Sequence, residues 1–190
     1  AFRIPNFFRR IFAEGAFSVA FVPVYSEIES QGGEGQAKAF LDLLLGRLCA
    51  ILFFVTAIGI IGAPLLVSIL APGFQSDPEK FQTTVSALRF TFPYLFFISL
   101  VAMAGGILNT HGRFAGPAVT PILLNVCLIA AIVLLVPIFQ NPAVALGVGV
   151  LIAGLVQLGF QLPFLHIERR LPAPRIRSRN RDDQLGRKDV

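Results

Sequence analysis

Charge is what this chain has least of. Acidic and basic residues fill 14% of its 190 positions, against about 25% in a soluble domain. None occurs over 48–76, 90–110 or 114–165. A bilayer core takes about 20 apolar residues per helix, so these stretches supply one, one and two membrane spans. With 55% hydrophobic residues and a mean hydropathy of +0.73, a soluble globular domain is excluded and an all-α polytopic membrane protein is predicted. Cysteine is nearly absent as well. Cys49 and Cys127 lie inside apolar runs on different predicted helices, which excludes a disulfide framework or a cysteine metal site. The two histidines, His111 and His166, sit at predicted helix ends with no partner at ligand spacing. No cofactor or metal is expected. No signal peptide is visible, and position 1 is Ala within a segment that already reads as helix, so a fragment of a longer protein is expected.

The charges that do occur are concentrated. Eight of the sixteen basic residues fall in the last 22 positions, between Arg169 and Lys188. A basic run abutting a span is the positive-inside signature, which places 172–190 as a cytoplasmic tail or linker. It reads either as a solvated linker or as a surface for lipid headgroups, and Asp182 and Asp183 dilute it as a basic patch. The net charge of +5 is therefore a membrane feature and does not point to nucleic acid.

Five helices are predicted, over 1–30, 37–70, 78–109, 117–139 and 142–168, forming one helical lobe over 1–171. The polar, Gly-rich 26–36 stretch is the first turn. Ser76 or Asp77 is the N-cap of the third helix, with Pro78 at its first position and Glu79 in its first turn. T-H-G-R-F-A-G-P (110–117) and V-P-I-F-Q-N-P (136–142) are the later turns. With the tail inside, alternation puts 110–116 and 26–36 inside, and 71–77 and 137–142 outside. In the last helix the spacings Ala143/Gly147 and Gly149/Ala153, with Gly154 and Gly159, predict close helix packing. Asn125, Gln157 and Gln161 are expected as buried amides. Gln157 and Gln161, one turn apart on one face, suit interhelical hydrogen bonds or substrate contact. Arg89, Asp42 and Arg47 are expected at the interfaces rather than at a site.

The exception to this economy is the opening stretch, A-F-R-I-P-N-F-F-R-R-I-F-A-E. Each Arg at membrane depth costs roughly 2.5–3.5 kcal/mol on insertion scales, and three cost on the order of 9 kcal/mol. A lipid-facing helix does not recover that. At 100° per residue Arg3, Asn6, Arg10 and Glu14 fall within about 80° of one another. Arg10 and Glu14 are an i, i+4 pair able to neutralise each other. Arg9 lies off that face with no acidic residue one turn away. Its planar guanidinium suits phosphate or pyrophosphate. The competing reading is that all three arginines snorkel to an interface.

The motif P-N-F-F-R-R-I-F-A-E-G-A-F-S-V-A-F-V-P (5–23) resembles the signature of the MurJ (MviN) lipid II flippases of bacterial peptidoglycan synthesis. T-F-P-Y-L-F-F-I-S-L (91–100), G-G-I-L-N-T-H-G-R-F-A-G-P-A-V-T-P-I-L-L-N (105–125) and Q-L-G-F-Q-L-P-F-L (157–165) are similar to further stretches of the same family, in order and at its spacing. The resemblance implies a bacterial inner-membrane transporter with the first lobe of the multidrug/oligosaccharidyl-lipid/polysaccharide fold, serving cell wall biogenesis and cell shape. Its partners would be lipid II, membrane lipids and the remaining helices of the same protein. It implies that Arg9 is the cavity arginine that meets the diphosphate and that Asn6 faces the cavity beside it. Arg10 and Glu14 match the neighbouring charged positions; the helical wheel by itself favours the Arg3/Arg10 face, so Arg9, Asn6, Arg10 and Arg3 are expected as the substrate-binding set, with Arg10 also paired to Glu14. It further implies a preceding helix with two more cavity arginines and a second lobe, both outside this sequence. Ion coupling is not legible in these residues.

Rival readings differ in chemistry. A flippase or exporter of another polyprenyl-diphosphate-linked glycan would share the cationic site. A drug/cation antiporter would need uncompensated carboxylates, whereas the charge at membrane depth here is mainly positive. A membrane enzyme acting on diphosphate lipids would need clustered carboxylates or an acid/base pair; the one adjacent pair, Asp182–Asp183, is in the polar tail. A non-transporting scaffold would tolerate loss of Arg9.

Overall fold

A computed structural model describes residues 16–139, 141–167 and 172–174. Helix α1 spans Ala16–Ile61, α2 Ala63–Leu70, α3 Pro78–Thr110, α4 Ala115–Ala130 and α5 Pro142–Ile167. A 3₁₀ turn, Pro72–Phe74, joins α2 to α3, and a π-helical turn, Ala131–Leu135, extends α4. No strand occurs among the described residues. Four helical stretches, Ala20–Ile61, Pro78–Thr110, Ala115–Leu135 and Pro142–Ile167, are long and apolar enough to cross a bilayer.

The predicted turn over 26–36 reduces to one residue. Gly33 (φ 70, ψ −179) is the single non-helical position inside α1, in a region of backbone space that is essentially glycine's alone. The helix predicted over 37–70 is instead divided at Gly62, which is the N-cap of α2, with Pro64 following in its first turn. The reason lies in hydrogen bonding. Pro64 has no N–H, so the Ile60 carbonyl loses its donor four residues on. The Arg89 Nε donates to that carbonyl at 3.4 Å, placing a cation at the end of α1 where the helix dipole favours one.

The other caps follow the sequence. Asp77 is the N-cap of α3 and its Oδ1 accepts the Lys80 N–H at 3.1 Å. The hydrogen bond from Lys80 holds the Asp77 carboxyl below the usual carboxylate range. Helix α3 closes in a Schellman arrangement: Gly112 (φ 71) donates to the Asn109 carbonyl and Arg113 to the Leu108 carbonyl. The Asn141 Oδ1 accepts the Ala143 N–H at 3.0 Å to cap α5, while its Nδ2 donates to Thr83 Oγ1 at 2.6 Å.

Helix α3 is the centre of the bundle. In its most apolar window 72% of residues are buried, against 17% for α1 and 11% for α4. The outward faces of those two helices carry Phe53, Phe54, Ile58, Ile122, Val126 and Ile129, all exposed. Apolar surface on this scale is not stable in water; it suits lipid or the apolar faces of further helices. Packing inside depends on small residues. A Cβ at Gly149 would lie 2.4 Å from Ala131 Cβ, and one at Gly59 would lie 2.2 Å from the Phe92 ring. Gly147 and Gly154 face α3, at Ala87 and at Tyr94 and Phe97. Gly159 does not join them: nothing lies within 4 Å of its missing side chain.

Gly149→Ala is expected to destabilise the full-length protein by about 1–3 kcal/mol through overpacking against Ala131. Gly159→Ala should instead stabilise it by up to about 1 kcal/mol through helix propensity. Thermal unfolding in detergent, followed by retention of monodisperse protein, measures both. Gly33→Ala should cost about 1–3 kcal/mol by backbone strain alone, because no neighbour meets the added methyl.

Candidate functional site

Arg3, Asn6, Arg9, Arg10 and Glu14 lie outside the described residues. The helix they lead into is firmly seated. Phe21 and Tyr25, one turn apart, are 5% and 0% exposed, and their rings stack with centroids 5.5 Å apart. Phe40 stacks on Phe21 at 6.5 Å, across the Gly33 break. The α3 side of the contact is Gly106, where a Cβ would lie 2.9 Å from the Phe21 ring. Met103, Ile107, Leu108 and Leu165 complete this cluster. The first part of α1 is thus held against α3 by aromatic packing.

Two polar contacts tie the predicted inner end together. The His111 Nε2 lies 3.4 Å from Glu29 Oε1, joining α1 to the turn after α3. The His111 Nδ1 is 2.9 Å from the Ile107 carbonyl and 3.0 Å from Thr110 Oγ1, and the Tyr25 ring stands 6.1 Å away. The second contact is at Asp42, which is 2% exposed and whose Oδ1 accepts the Ala173 N–H at 2.7 Å, beyond the end of α5. Arg47, one turn and a half further on, is exposed. A buried carboxylate is tolerated because it accepts hydrogen bonds. Sequence reading passed over both contacts because each partner lies far along the chain; no local spacing encodes them.

The intramembrane amides divide. Asn125, expected to be buried, is exposed on α4, since α4 turns most of its surface outward. Gln157 and Gln161 are each 1% exposed. The Gln157 Nε2 donates to the Thr120 carbonyl at 2.7 Å, an interhelical bond between α5 and α4. Its acceptor lies beside the irregularity made by Pro121, which removes the N–H that the Pro117 carbonyl would otherwise receive. Thr120 Oγ1 supplies that donor at 2.6 Å. Near the predicted inner end, a cavity of about 430 Å³ opens between Arg113, Phe114, Phe164 and Ile167. Among the described residues no three His, Cys, Asp or Glu side chains gather in a metal-binding group. Among the described residues the arrangement offers interhelical packing, hydrogen bonds and the Glu29–His111 pair.

Known proteins agree in kind. A family model described as "Lipid II flippase MurJ" matches residues 1–187. The probable lipid II flippase MurJ of Haemophilus influenzae is 39% identical over 170 residues, covering 86% of this chain and 33% of the relative. The lipid II flippase MurJ of Burkholderia cenocepacia is 44% identical over 165 residues, 87% and 32% of the two chains. The probable lipid II flippase MurJ of Rhizobium meliloti is 45% identical over 164 residues, 83% and 30%. The chain spans about a third of the length of these curated relatives. An all-helical membrane bundle matched along nearly its whole length belongs to the MurJ family of lipid II flippases.

Proposed function

We propose that this chain is part of a flippase that moves lipid-linked peptidoglycan precursor (lipid II) across the bacterial inner membrane for cell wall synthesis. The observation that carries the reading is the family match over 1–187, which includes the charged opening segment. The four apolar helices and that membership make it a multi-pass inner-membrane protein, acting as a transporter and not as an enzyme.

In this reading the diphosphate is the recognised group. Arg9, the guanidinium with no acidic residue one turn away in sequence, meets it in a bidentate contact. Asn6 faces the same cavity, and Arg3 adds positive potential. Arg10 and Glu14 form an i, i+4 pair that keeps the helix neutral elsewhere. The aromatic seating of Phe21, Tyr25 and Phe40 supports it by giving the charged segment a rigid base. Transport proceeds by alternating access: the headgroup stays in a polar cavity, the lipid tail stays in the bilayer, and the helical units rock about them. Net charge carried across the membrane couples to its potential at about 2.3 kcal/mol per charge per 100 mV.

In the full-length protein Arg9→Ala should abolish growth rescue of a flippase-depleted strain while the protein still reaches the membrane at normal abundance. Rescue at the wild-type level refutes the assignment. Arg10→Ala should lower the amount of protein on a membrane immunoblot. Normal abundance with transport lost would exchange the roles of the two arginines.

A further inference from the structure

His111 is the C-cap of α3, and its two ring nitrogens meet opposite chemistry. Nδ1 is 2.9 Å from the Ile107 carbonyl and 3.0 Å from Thr110 Oγ1. The Thr110 hydroxyl gives its hydrogen to that same carbonyl at 2.6 Å, so it has none left for the ring. A carbonyl oxygen can only accept, and Nδ1 therefore carries a hydrogen and donates. In a neutral imidazole this leaves Nε2 as a bare lone pair. Among the described residues Nε2 is buried with no hydrogen-bond partner, yet Glu29 Oε1 lies 3.4 Å away. The approach is that of an ion pair, not of an aligned hydrogen bond.

A lone pair facing a carboxylate is repelled by it, and a proton on Nε2 turns the repulsion into attraction. Three features of the surroundings favour the charged ring. Glu29 is the first, in a contact whose two side chains are only 19% and 26% exposed. The second is the buried Tyr25 ring, 6.1 Å from the imidazole, at the edge of the range of about 6 Å for cation–aromatic attraction. The third is the C-terminus of α3, where the helix dipole favours a cation. Glu29 and Tyr25 are thus the ionisable groups that α1 turns towards the ring; Glu27 is exposed and accepts from Gln31. Arg113, in the same turn as His111, is exposed, and so is His166 at the end of α5.

We infer that His111 is a proton-binding site: the protonated ring closes onto Glu29 and pins the part of α1 before Gly33 to the end of α3, and the neutral ring releases it. An unfolded chain sets no carboxylate beside the ring, so the folded arrangement holds the proton more tightly. The contact therefore adds stability on the acid side of the imidazole range and loses it as pH rises through about 5 to 8. Neither the transported lipid nor the charged opening segment enters this argument.

The test compares the full-length protein with its Glu29→Gln variant in detergent, by thermal unfolding midpoint at about pH 5.5 and about pH 8.5. Carboxylates are ionised at both values. At the lower pH the variant should unfold about 1 °C or more below the wild type, and at the higher pH that gap should close or change sign. In a His111→Gln background the effect of Glu29→Gln should be the same at both values. A wild-type gap of equal size at both pH values would mean that the carboxylate acts without the ring's charge, and it overturns the inference. No gap at the lower pH overturns it too. A pH-dependent gap that survives His111→Gln assigns the proton to another group and is equally fatal. The first two readings need only Glu29→Gln, which leaves the α3 cap intact.

Discussion

Hydrocarbon supplies no hydrogen-bond partners, and this constraint governs the bundle more than any single contact. Every carbonyl that a proline strips of its helical donor must be served by another group or left at a cost of several kcal/mol. Two instances are visible. Pro64 frees the Ile60 carbonyl, and Arg89 reaches across from α3 to it. Pro121 frees the Pro117 carbonyl, and Thr120 turns its hydroxyl back onto it. In the π turn at Ala131–Leu135 the Val136 N–H reaches the Ala131 carbonyl at 3.1 Å, one residue further back than in an α-helix. At the two proline breaks irregularity is permitted because another group takes up the freed carbonyl.

The same constraint sorts the polar contacts to the ends. The Glu29–His111 and Asp42–Ala173 contacts bring together the first turn, the turn after α3 and the chain beyond α5. Arg89–Ile60, Asn141–Thr83 and Asp77–Lys80 gather at the opposite end. Between them α3 packs through small side chains and glycines, while the most apolar helices face outward. That distribution reverses the pattern of a water-soluble bundle, and it follows from lipid being as apolar as leucine. Close approach, not hydrophobic burial, holds the middle of the lobe.

Much of this was legible beforehand. The charge-free stretches announced the spans, Asp77–Pro78 the start of α3, and Asn141–Pro142 the start of α5, because caps and proline act over a few residues. The break at Gly62 was missed since Pro64 reads equally well as a tolerated helix proline; its consequence appears only when Arg89 is seen beside Ile60. Asn125 was misplaced because an amide in an apolar run argues for burial, while the outward turn of α4 is set by its neighbours. Gly159 shares the spacing of the packing glycines but has no helix opposite it.

The residues by themselves determined membrane class, span lengths, cap positions and the family, since these rest on hydrophobicity, on backbone chemistry and on motifs a few residues long. The cationic segment was likewise found from charge alone, because charge in an apolar context is conspicuous without coordinates. Only the tertiary structure decided which buried polar groups have partners. Asp42 with Ala173, Glu29 with His111 and Gln157 with Thr120 join residues 131, 82 and 37 positions apart. Such pairs follow from how helices cross, and helix crossing is set by side-chain shape over three dimensions, which no local pattern records.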